Sequence, residues 1–200
     1  MRLIVGISGA TGPIYGIRLL EVLRASGVET HLVVSEHAWQ NIALESDYAM
    51  EDVKALADYL YDPRDVGAAP ASGSFLCAGM VVAPCSIKTL SGIAHSYNEN
   101  LLVRAADVTL KEGRKLVLVV RETPLHRGHL KLMLAAAEAG AVILPPMPAF
   151  YHRPRSIEEL VDQTVGKVLD QFGIPHHLFT RWAGARPVDA PAPLVGAVRP

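Results

Sequence analysis

The sequence predicts an α/β protein with a doubly wound, mostly parallel sheet, arranged as a Rossmann-like or flavodoxin-like three-layer sandwich. Two observations lead to this prediction. Short apolar runs rich in β-branched residues alternate with amphipathic segments along residues 2–172,. The apolar runs are continuous, as expected for parallel strands that are buried on both faces. Because ligands of such folds bind at the carboxyl ends of the strands, the segments that follow each strand are the candidates for function.

Apolar runs and turn residues mark the bounds of the predicted strands and helices. The predicted strands are 2–7, 30–35, 79–83, 115–120 and 141–144. The predicted helices are 13–26, 36–45, 49–60, 87–95, 98–111, 126–139 and 156–172. The first helix is the best marked, because Pro13 suits its first position and Gly27 suits the residue beyond its end. We predict a loop over 61–75, a single domain over 1–182, and an Ala/Pro-rich tail over 183–200.

Composition excludes several classes of protein. The chain has 200 residues, half of them hydrophobic, and a formal net charge of −1, which indicates one compact soluble domain and no nucleic-acid partner,. The opening MRLIVGI has too short an apolar run for a signal peptide, and no membrane span is expected, so a cytoplasmic location is predicted,. Two cysteines and eight scattered histidines predict neither a disulfide scaffold nor a metal site,.

A glycine-rich stretch follows the first strand. Residues 4–16 read IVGISGATGPIYG, with glycines at 6, 9 and 12. The spacing matches neither the nucleoside-triphosphate loop nor the dinucleotide fingerprint. A glycine turn at a helix N-terminus lets backbone N–H groups approach an anion closely. Two interpretations remain open, a phosphate loop of another kind and a tight turn without a ligand.

Chemically active residues follow the end of every predicted strand. They are Ser8–Thr11, Ser35–Glu36, Pro84–Thr89, Arg121–Pro124 and Pro145–Tyr151. Hydroxyls, one guanidinium and backbone amides at one edge of a sheet suit a phosphorylated ligand with a planar polar ring. Helix capping is the simpler explanation for Ser35, Ser86 or Thr89 taken singly.

Two further groups of charged residues are candidates for ligand binding. Arg104 and Lys111 are seven residues apart on one helix face with Asp107 between them, and a solvated ion-pair face is the simpler explanation,. Arg121 and Glu122 end a predicted buried strand, where an unpaired or unused charge costs free energy. Their position therefore indicates a functional role.

Three segments carry a family resemblance: SGATGPIYGIRLL, PCSIKTLSGIAHSYNENLLVRAADVTLKEGRKLVLVVRETPLH, and GAVILPPMPAFYHRPRSIEELVDQTVGKVLDQFGI. Together they resemble the UbiX family of flavin prenyltransferases, within the wider group of flavin-binding Cys-decarboxylase-like proteins. The likeness covers residues 2–182, and the two longer segments are the specific ones. It implies that the single domain binds flavin and that the protein is a trimer-based homo-oligomer, with a dodecamer as the expected assembly and with sites between subunits.

The resemblance also implies the reaction. Reduced FMN is the acceptor and dimethylallyl phosphate is the donor, without a metal. Allyl C1′ joins flavin N5 and C3′ joins C6, phosphate is released, and the product, prenylated FMN, passes to a UbiD-like decarboxylase.

The resemblance assigns roles to single residues. FMN is expected on Gly9, Ala10, Thr11, Ser35, Ser86, Ile87, Lys88, Thr89 and Arg121. The donor phosphate is expected on Lys111, Arg121, Tyr151 and Lys167, with Arg104 close to both ligands. Glu122 is the expected acid/base residue, Glu45 a supporting carboxylate, and Trp182 a π-face over the allyl group.

The chain departs from the family pattern at two of these positions. Thr11 stands where many members have Ser, which keeps the hydroxyl and adds a methyl group. Lys167 stands where several members have Arg, so a bidentate phosphate contact becomes a point charge.

Three other functions are alternatives to prenyl transfer. A flavin-dependent decarboxylase of a peptidyl cysteine has no second phosphate to hold, which the phosphate-binding set argues against. A direct hydroxybenzoate decarboxylase lacks a visible metal or acid/base pair. A non-catalytic flavin carrier has the same composition as the enzyme, and donor turnover separates the two.

Overall fold

The computed structural model describes residues 1–184 and confirms the predicted α/β class. One six-stranded sheet has the order β3-β2-β1-β4-β5-β6, and every neighbouring pair of strands is parallel. The strands are β1 (Arg2–Ile7), β2 (Glu29–Val34), β3 (Tyr59–Tyr61), β4 (Gly79–Cys85), β5 (Lys115–Val120) and β6 (Val142–Ile143). The order reverses between β1 and β4, which is where ligands bind in this kind of sheet.

Helices cover both faces of the sheet. They are α1 (Ile14–Ala25), α2 (Glu36–Glu45), α3 (Met50–Leu56), α4 (Ile87–Ala94), α5 (Leu101–Lys111), α6 (Arg127–Glu138) and α7 (Ile157–Gln171). One apolar core packs α1, α2, α3 and α7 against the sheet, and a second packs α4, α5 and α6 against the other face. The three-layer sandwich is therefore present, and strand residues face the two cores alternately.

Helix α1 packs very close to the sheet. A Cβ atom at Gly16 would lie 2.3 Å from the carbonyl oxygen of Ala83, which is well inside a van der Waals contact. Only glycine fits there, and this close packing holds the start of α1 against the carboxyl end of β4.

The predicted helix 49–60 is wrong in its second half. Helix α3 ends at Leu56, and Tyr59–Tyr61 form β3, a sixth strand that was not predicted. The ring of His31 on β2 stacks on Tyr59 at a centroid distance of 4.6 Å, and its Nδ1 lies 2.9 Å from the Tyr61 hydroxyl. These contacts with a distant segment override the local helical pattern.

Other boundaries differ less. The helix predicted at 98 begins at Leu101, because Asn100 caps it by accepting a hydrogen bond from the Val103 N–H,. The boundary predicted at residue 182 stays a prediction, since residues 185–200 of the expected tail lie outside the described part. Within residues 1–184, no helix has the length and apolar character needed to cross a membrane.

Candidate active site

A cleft of about 840 Å³ opens at the carboxyl ends of β1 and β4, where the strand order reverses. It brings together seven of the residues singled out by sequence: Gly9, Ser35, Ser86, Ile87, Lys88, Thr89 and Glu122. They come from four different strand ends, which meet here because all the strands run parallel. The cleft therefore gathers glycine backbone, hydroxyls, the Lys88 ammonium group and two carboxylates, Glu122 and Glu99.

A buried serine joins the two loops on either side of this cleft. The Ser8 side chain is fully buried, and its hydroxyl donates to the Pro84 carbonyl oxygen at 2.9 Å. The same oxygen atom of Ser8 accepts a hydrogen bond from the Ser86 N–H at 2.8 Å. The loop after β1 and the turn after β4 are thus one hydrogen-bonded unit.

The glycine loop has its own internal support. The Thr11 hydroxyl and the Gly12 N–H both donate to Glu45 Oε2, each at 2.8 Å. A Cβ atom at Gly9 would lie 2.6 Å from His37 Cβ, so a larger residue requires a shift of α2. Glu45 at the end of α2 therefore holds the loop in place, and the absence of a side chain at Gly9 lets the loop pack closely against His37 of α2,.

Two helices direct their N-termini into the cleft. Ser35 caps α2 by accepting from the Ala38 N–H at 3.2 Å, and Ser86 caps α4 by accepting from the Thr89 N–H at 3.3 Å. The capping explanation is therefore right for both serines. It does not compete with ligand binding, since both line the cleft and helix N-termini favour anions,.

Arg121 and Glu122 lie at the end of β5 in different surroundings. Glu122 is exposed, so the argument that burial makes its charge costly is wrong for this residue. Its Oε1 accepts from the Thr123 N–H at 3.0 Å. Arg121 is half-buried near Tyr15: burial raises the pKa of the Tyr15 phenol, and the Arg121 charge opposes that rise. Tyr15 in turn lies next to Gly12, since a Cβ atom at Gly12 would lie 3.0 Å from its ring.

Arg104 and Lys111 do not join this cleft within one chain. Arg104 Nη1 lies 3.1 Å from Asp107 Oδ2, and Lys111 pairs with Glu112. Helix α5 ends at Lys111, four residues before β5 begins at Lys115, so Lys111 lies toward the amino ends of the strands. The ion-pair explanation is right for Arg104, and a single chain does not bring Lys111 to Arg121.

The remaining expected residues form a second group near α7. The ring centroids of Tyr151 and Trp182 are 6.0 Å apart, and Trp182 is 63% exposed, so it is not a buried packing anchor. Lys167 Nζ lies 3.5 Å from Asp170 Oδ2. Asp170 also accepts two hydrogen bonds from Arg181, at 3.0 and 2.6 Å. Asp170 thus fastens the segment that carries Trp182 to the helix that carries Lys167.

His176 completes this network. Its side chain is 2% exposed and its Nε2 lies 3.1 Å from Asp170 Oδ1, so this histidine is a buried member of the network. Arg181 and His176 together lower the pKa of Asp170 from 3.8 to about 2. No sequence pattern predicts this arrangement, because Asp170 lies in α7 and both His176 and Arg181 lie in the irregular segment after it.

We expect Asp170→Asn to release the segment that carries Trp182. The folded-state pKa is lowered, so the stabilisation by Asp170 is present above its ordinary pKa and is lost as the pH falls toward about 2,. The measurement is Trp182 emission and anisotropy in a Trp39→Phe background. Asp170→Asn should shift the emission and lower the anisotropy at neutral pH, whereas exposed Asp47→Asn should leave both unchanged. Identical spectra for the two variants would contradict the role of Asp170.

Several residues of the cleft were missed by sequence reasoning. They are His37, Ser91, Gly92, His95, Tyr97, Glu99, Asn100 and Val103. They come from the first turn of α2 and from the α4–α5 region, away from the strand ends that guided the prediction. Within residues 1–184, no group of three or more His, Cys, Asp or Glu side chains is arranged to hold a metal ion.

The fold and the cleft define an α/β protein of the Rossmann type whose ligand site lies at helix N-termini that favour an anion,. The Flavoprotein family model matches residues 1–169. The flavin prenyltransferase UbiX of Escherichia coli K12 is 63% identical over 187 residues, covering 92% of this chain and 99% of the relative. The chain therefore belongs to the UbiX family of flavin prenyltransferases.

Solved structures agree with this membership. AnUbiX (PadA1), crystallised with FMN and dimethylallyl pyrophosphate, superposes with a TM-score of 0.91 at 50% identity, covering 92% of this chain and 98% of that one. A dodecameric FMN-dependent UbiX-like decarboxylase from Escherichia coli O157:H7 superposes with a TM-score of 0.90 at 52% identity, covering 92% and 100%.

Proposed function

We propose that this protein is a flavin prenyltransferase that joins the dimethylallyl group of dimethylallyl phosphate to N5 and C6 of reduced FMN. The observation that carries the proposal is the 63% identity, over nearly the full length of both chains, to a relative of that name. The product is prenylated FMN, which we assign to a UbiD-like decarboxylase as its user. We place the reaction in the cytoplasm, in keeping with two free cysteines,.

The cleft suits FMN on the chemistry of its lining. The N-termini of α2 and α4 and the glycine loop offer backbone N–H groups to a phosphate, and Gly9, Ser35 and Ser86 line the cleft at these positions,. We assign FMN to Gly9, Ala10, Thr11, Ser35, Ser86, Ile87, Lys88, Thr89 and Arg121. Reduced flavin supplies the nucleophilic ring atoms, and the protein residues orient it and exclude water.

The donor site requires more than one copy of the chain. Arg121 lies beside the cleft, Tyr151 and Lys167 belong to the group near α7, and Arg104 and Lys111 lie on α5. We propose that a trimer-based homo-oligomer, a dodecamer in full, brings these groups together across subunit interfaces. The dodecameric UbiX-like structure supports this assembly.

Each proposed role follows from the chemistry of allyl transfer. When the C1′–O bond breaks, its electron pair leaves with the phosphate, and cationic side chains with the Tyr151 hydroxyl stabilise that charge. The allyl cation that remains is attracted to the exposed face of Trp182. Bond formation between C3′ and C6 breaks the C2′=C3′ double bond, so C2′ gains a proton and C6 loses one, and Glu122 is the carboxylate in the cleft that we assign to this proton transfer. Glu45 supports the loop through Thr11 and Gly12.

The decisive experiment is anaerobic incubation with reduced FMN, dimethylallyl phosphate and a chelator. We expect donor consumption, one phosphate released per flavin, and a flavin heavier by one five-carbon unit. Oxidised FMN should give no product, because its ring lacks the electrons needed to attack carbon. A heavier flavin formed equally well from oxidised FMN, or carbon dioxide released from a hydroxybenzoate or a peptidyl cysteine, would overturn the proposal. Flavin binding without donor turnover would indicate a carrier.

A further inference from the structure

A second cleft, of about 690 Å³, lies between the loop that precedes α7 and the segment that follows it. Its lining is His152, Arg153, Arg155, Glu159, His177, Leu178, Phe179 and Thr180. None of these residues lines the cleft at the carboxyl ends of β1 and β4. We propose that this second cleft, here called the basic cleft, binds a phosphate group.

The charge of the basic cleft favours an anion. Neither the Arg153 nor the Arg155 guanidinium forms an ion pair or a hydrogen bond with any residue of 1–184. The only carboxylate in the lining is Glu159, and its Oε2 already accepts from the Arg155 backbone N–H at 2.8 Å. Two unpaired guanidinium groups in one concave site form a fork-shaped donor set that matches phosphate oxygens.

A histidine in the basic cleft lacks hydrogen-bond partners. Both ring nitrogens of His152 are buried, and neither has a partner within residues 1–184. The ring packs between Tyr151, at a centroid distance of 5.3 Å, and Phe179, at 6.4 Å. Buried polar atoms are nearly always hydrogen-bonded, so an unpaired buried imidazole indicates a missing partner. A phosphate oxygen in the cleft satisfies an N–H of this ring once the ring turns to expose that nitrogen.

The backbone around the cleft supports the same assignment. Arg153 has φ of +56°, a left-handed conformation that side chains other than those of Gly, Asn and Asp rarely adopt,. Such a strained backbone conformation persists only where the surrounding structure enforces it, and strained residues of this kind cluster at functional sites. The fifteen-residue helix α7 begins beside the cleft, after its cap Ser156, but its first turn carries Glu158 and Glu159, so the positive charge of the site comes from the two arginines and not from the helix N-terminus,.

The position of the basic cleft suggests which phosphate it receives. His152 separates it from Tyr151, which together with Trp182 belongs to the proposed donor site. Leu178 and Phe179 add apolar surface beside the cations. We assign the basic cleft to the phosphate of the allyl donor before reaction or to inorganic phosphate after it, an assignment that rests on the proposed function.

The test is binding of two probes to the full-length protein, measured by calorimetry and by ³¹P NMR. The probes are inorganic phosphate and dimethylallyl phosphate, each with FMN already bound. The charge-removing variant is Arg153→Asn with Arg155→Gln, since Asn tolerates the left-handed backbone. The charge-keeping variant is Arg155→Lys, and the control is Arg64→Gln, whose guanidinium pairs with Asp62 elsewhere on the surface.

We expect phosphate affinity to fall at least tenfold in the double variant and to be largely kept in Arg155→Lys and Arg64→Gln. The ring signals of His152 should shift on phosphate addition in the wild type and not in the double variant. In the prenyl-transfer assay, the double variant should show a raised KM for the donor with little change in kcat. A response to inorganic phosphate alone assigns the released product, and a response to both probes assigns the donor as well.

Equal phosphate affinity in the wild type and the double variant, or His152 signals that do not move, would overturn the inference. Because FMN affinity is recorded for every variant, a misfolded protein is recognised. Phosphate binding is measured without turnover. Failure of prenyl transfer in the wild type would therefore refute the proposed function, while the phosphate-binding result alone would decide whether the basic cleft binds phosphate.

Discussion

Prenyl transfer by Glu122→Gln is expected to be slower by about 10²-fold or more, while FMN and the donor remain bound. Glutamine keeps the shape of the side chain and its acceptor oxygen for the Thr123 N–H. It cannot accept the proton that C6 of the flavin loses. The measurement is single-turnover formation of the heavier flavin, with affinities for both ligands determined separately.

The matched control is Glu99→Gln, which removes another exposed carboxylate from the same cleft. We expect it to retain most of the activity, because Glu99 lies 3.5 Å from Lys88 and has no assigned part in proton transfer. A Glu122→Gln enzyme as fast as the wild type would exclude Glu122 as the acid/base residue. Equal slowing by both variants would indicate that the negative charge of the cleft, and not proton transfer by Glu122, determines the rate.

Arg121→Ala is expected to weaken binding of both FMN and the allyl donor, because one guanidinium is assigned to both ligands. The loss of a charge-assisted hydrogen bond costs about 1.5–3 kcal/mol, which is roughly a 10- to 100-fold weaker affinity for each ligand. Tyr151→Phe serves as the contrasting variant. It should leave FMN affinity nearly unchanged and slow prenyl transfer, since only the donor phosphate loses a hydrogen bond.

Titration of FMN into both variants, followed by donor binding in the presence of FMN, checks these expectations. Equal loss of FMN affinity in Arg121→Ala and Tyr151→Phe would refute the division of roles. The comparison also tests the proposed assembly. Tyr151 lies in the group near α7 and not in the lining of the cleft at the carboxyl ends of β1 and β4, so an effect of Tyr151→Phe on prenyl transfer requires the two groups to come together.

The fold was predictable wherever burial governs the sequence pattern. Strands β1, β2, β4 and β5 are continuous buried runs, and their ends correctly indicated the residues that meet in the cleft. Strand β3 was missed because Tyr59 and Leu60 are exposed at the sheet edge, so no buried run marks it. Its conformation depends on His31, a partner almost thirty residues away in the chain.

The site was predictable only in part, for a physical reason. Gly9, Ser35 and Ser86 follow strands of one sheet, so the topology alone brings them together. Lys167 and Trp182 are related through Asp170, a contact between a helix and the segment folded back on it. No periodicity encodes such a contact, and the proposed roles of Arg104 and Lys111 on α5 depend on a second copy of the chain.

The hydrogen bonds of Ser8 have a consequence for the entropy of ligand binding. Because this buried hydroxyl already links the turn after β4 to the loop after β1, the backbone groups offered to an anion are ordered when the chain folds. Loops that become ordered only on association lose conformational freedom at that moment, which weakens the observed affinity. Here the loss of conformational freedom occurs when the chain folds, so the backbone of the proposed flavin site is already ordered before the flavin binds.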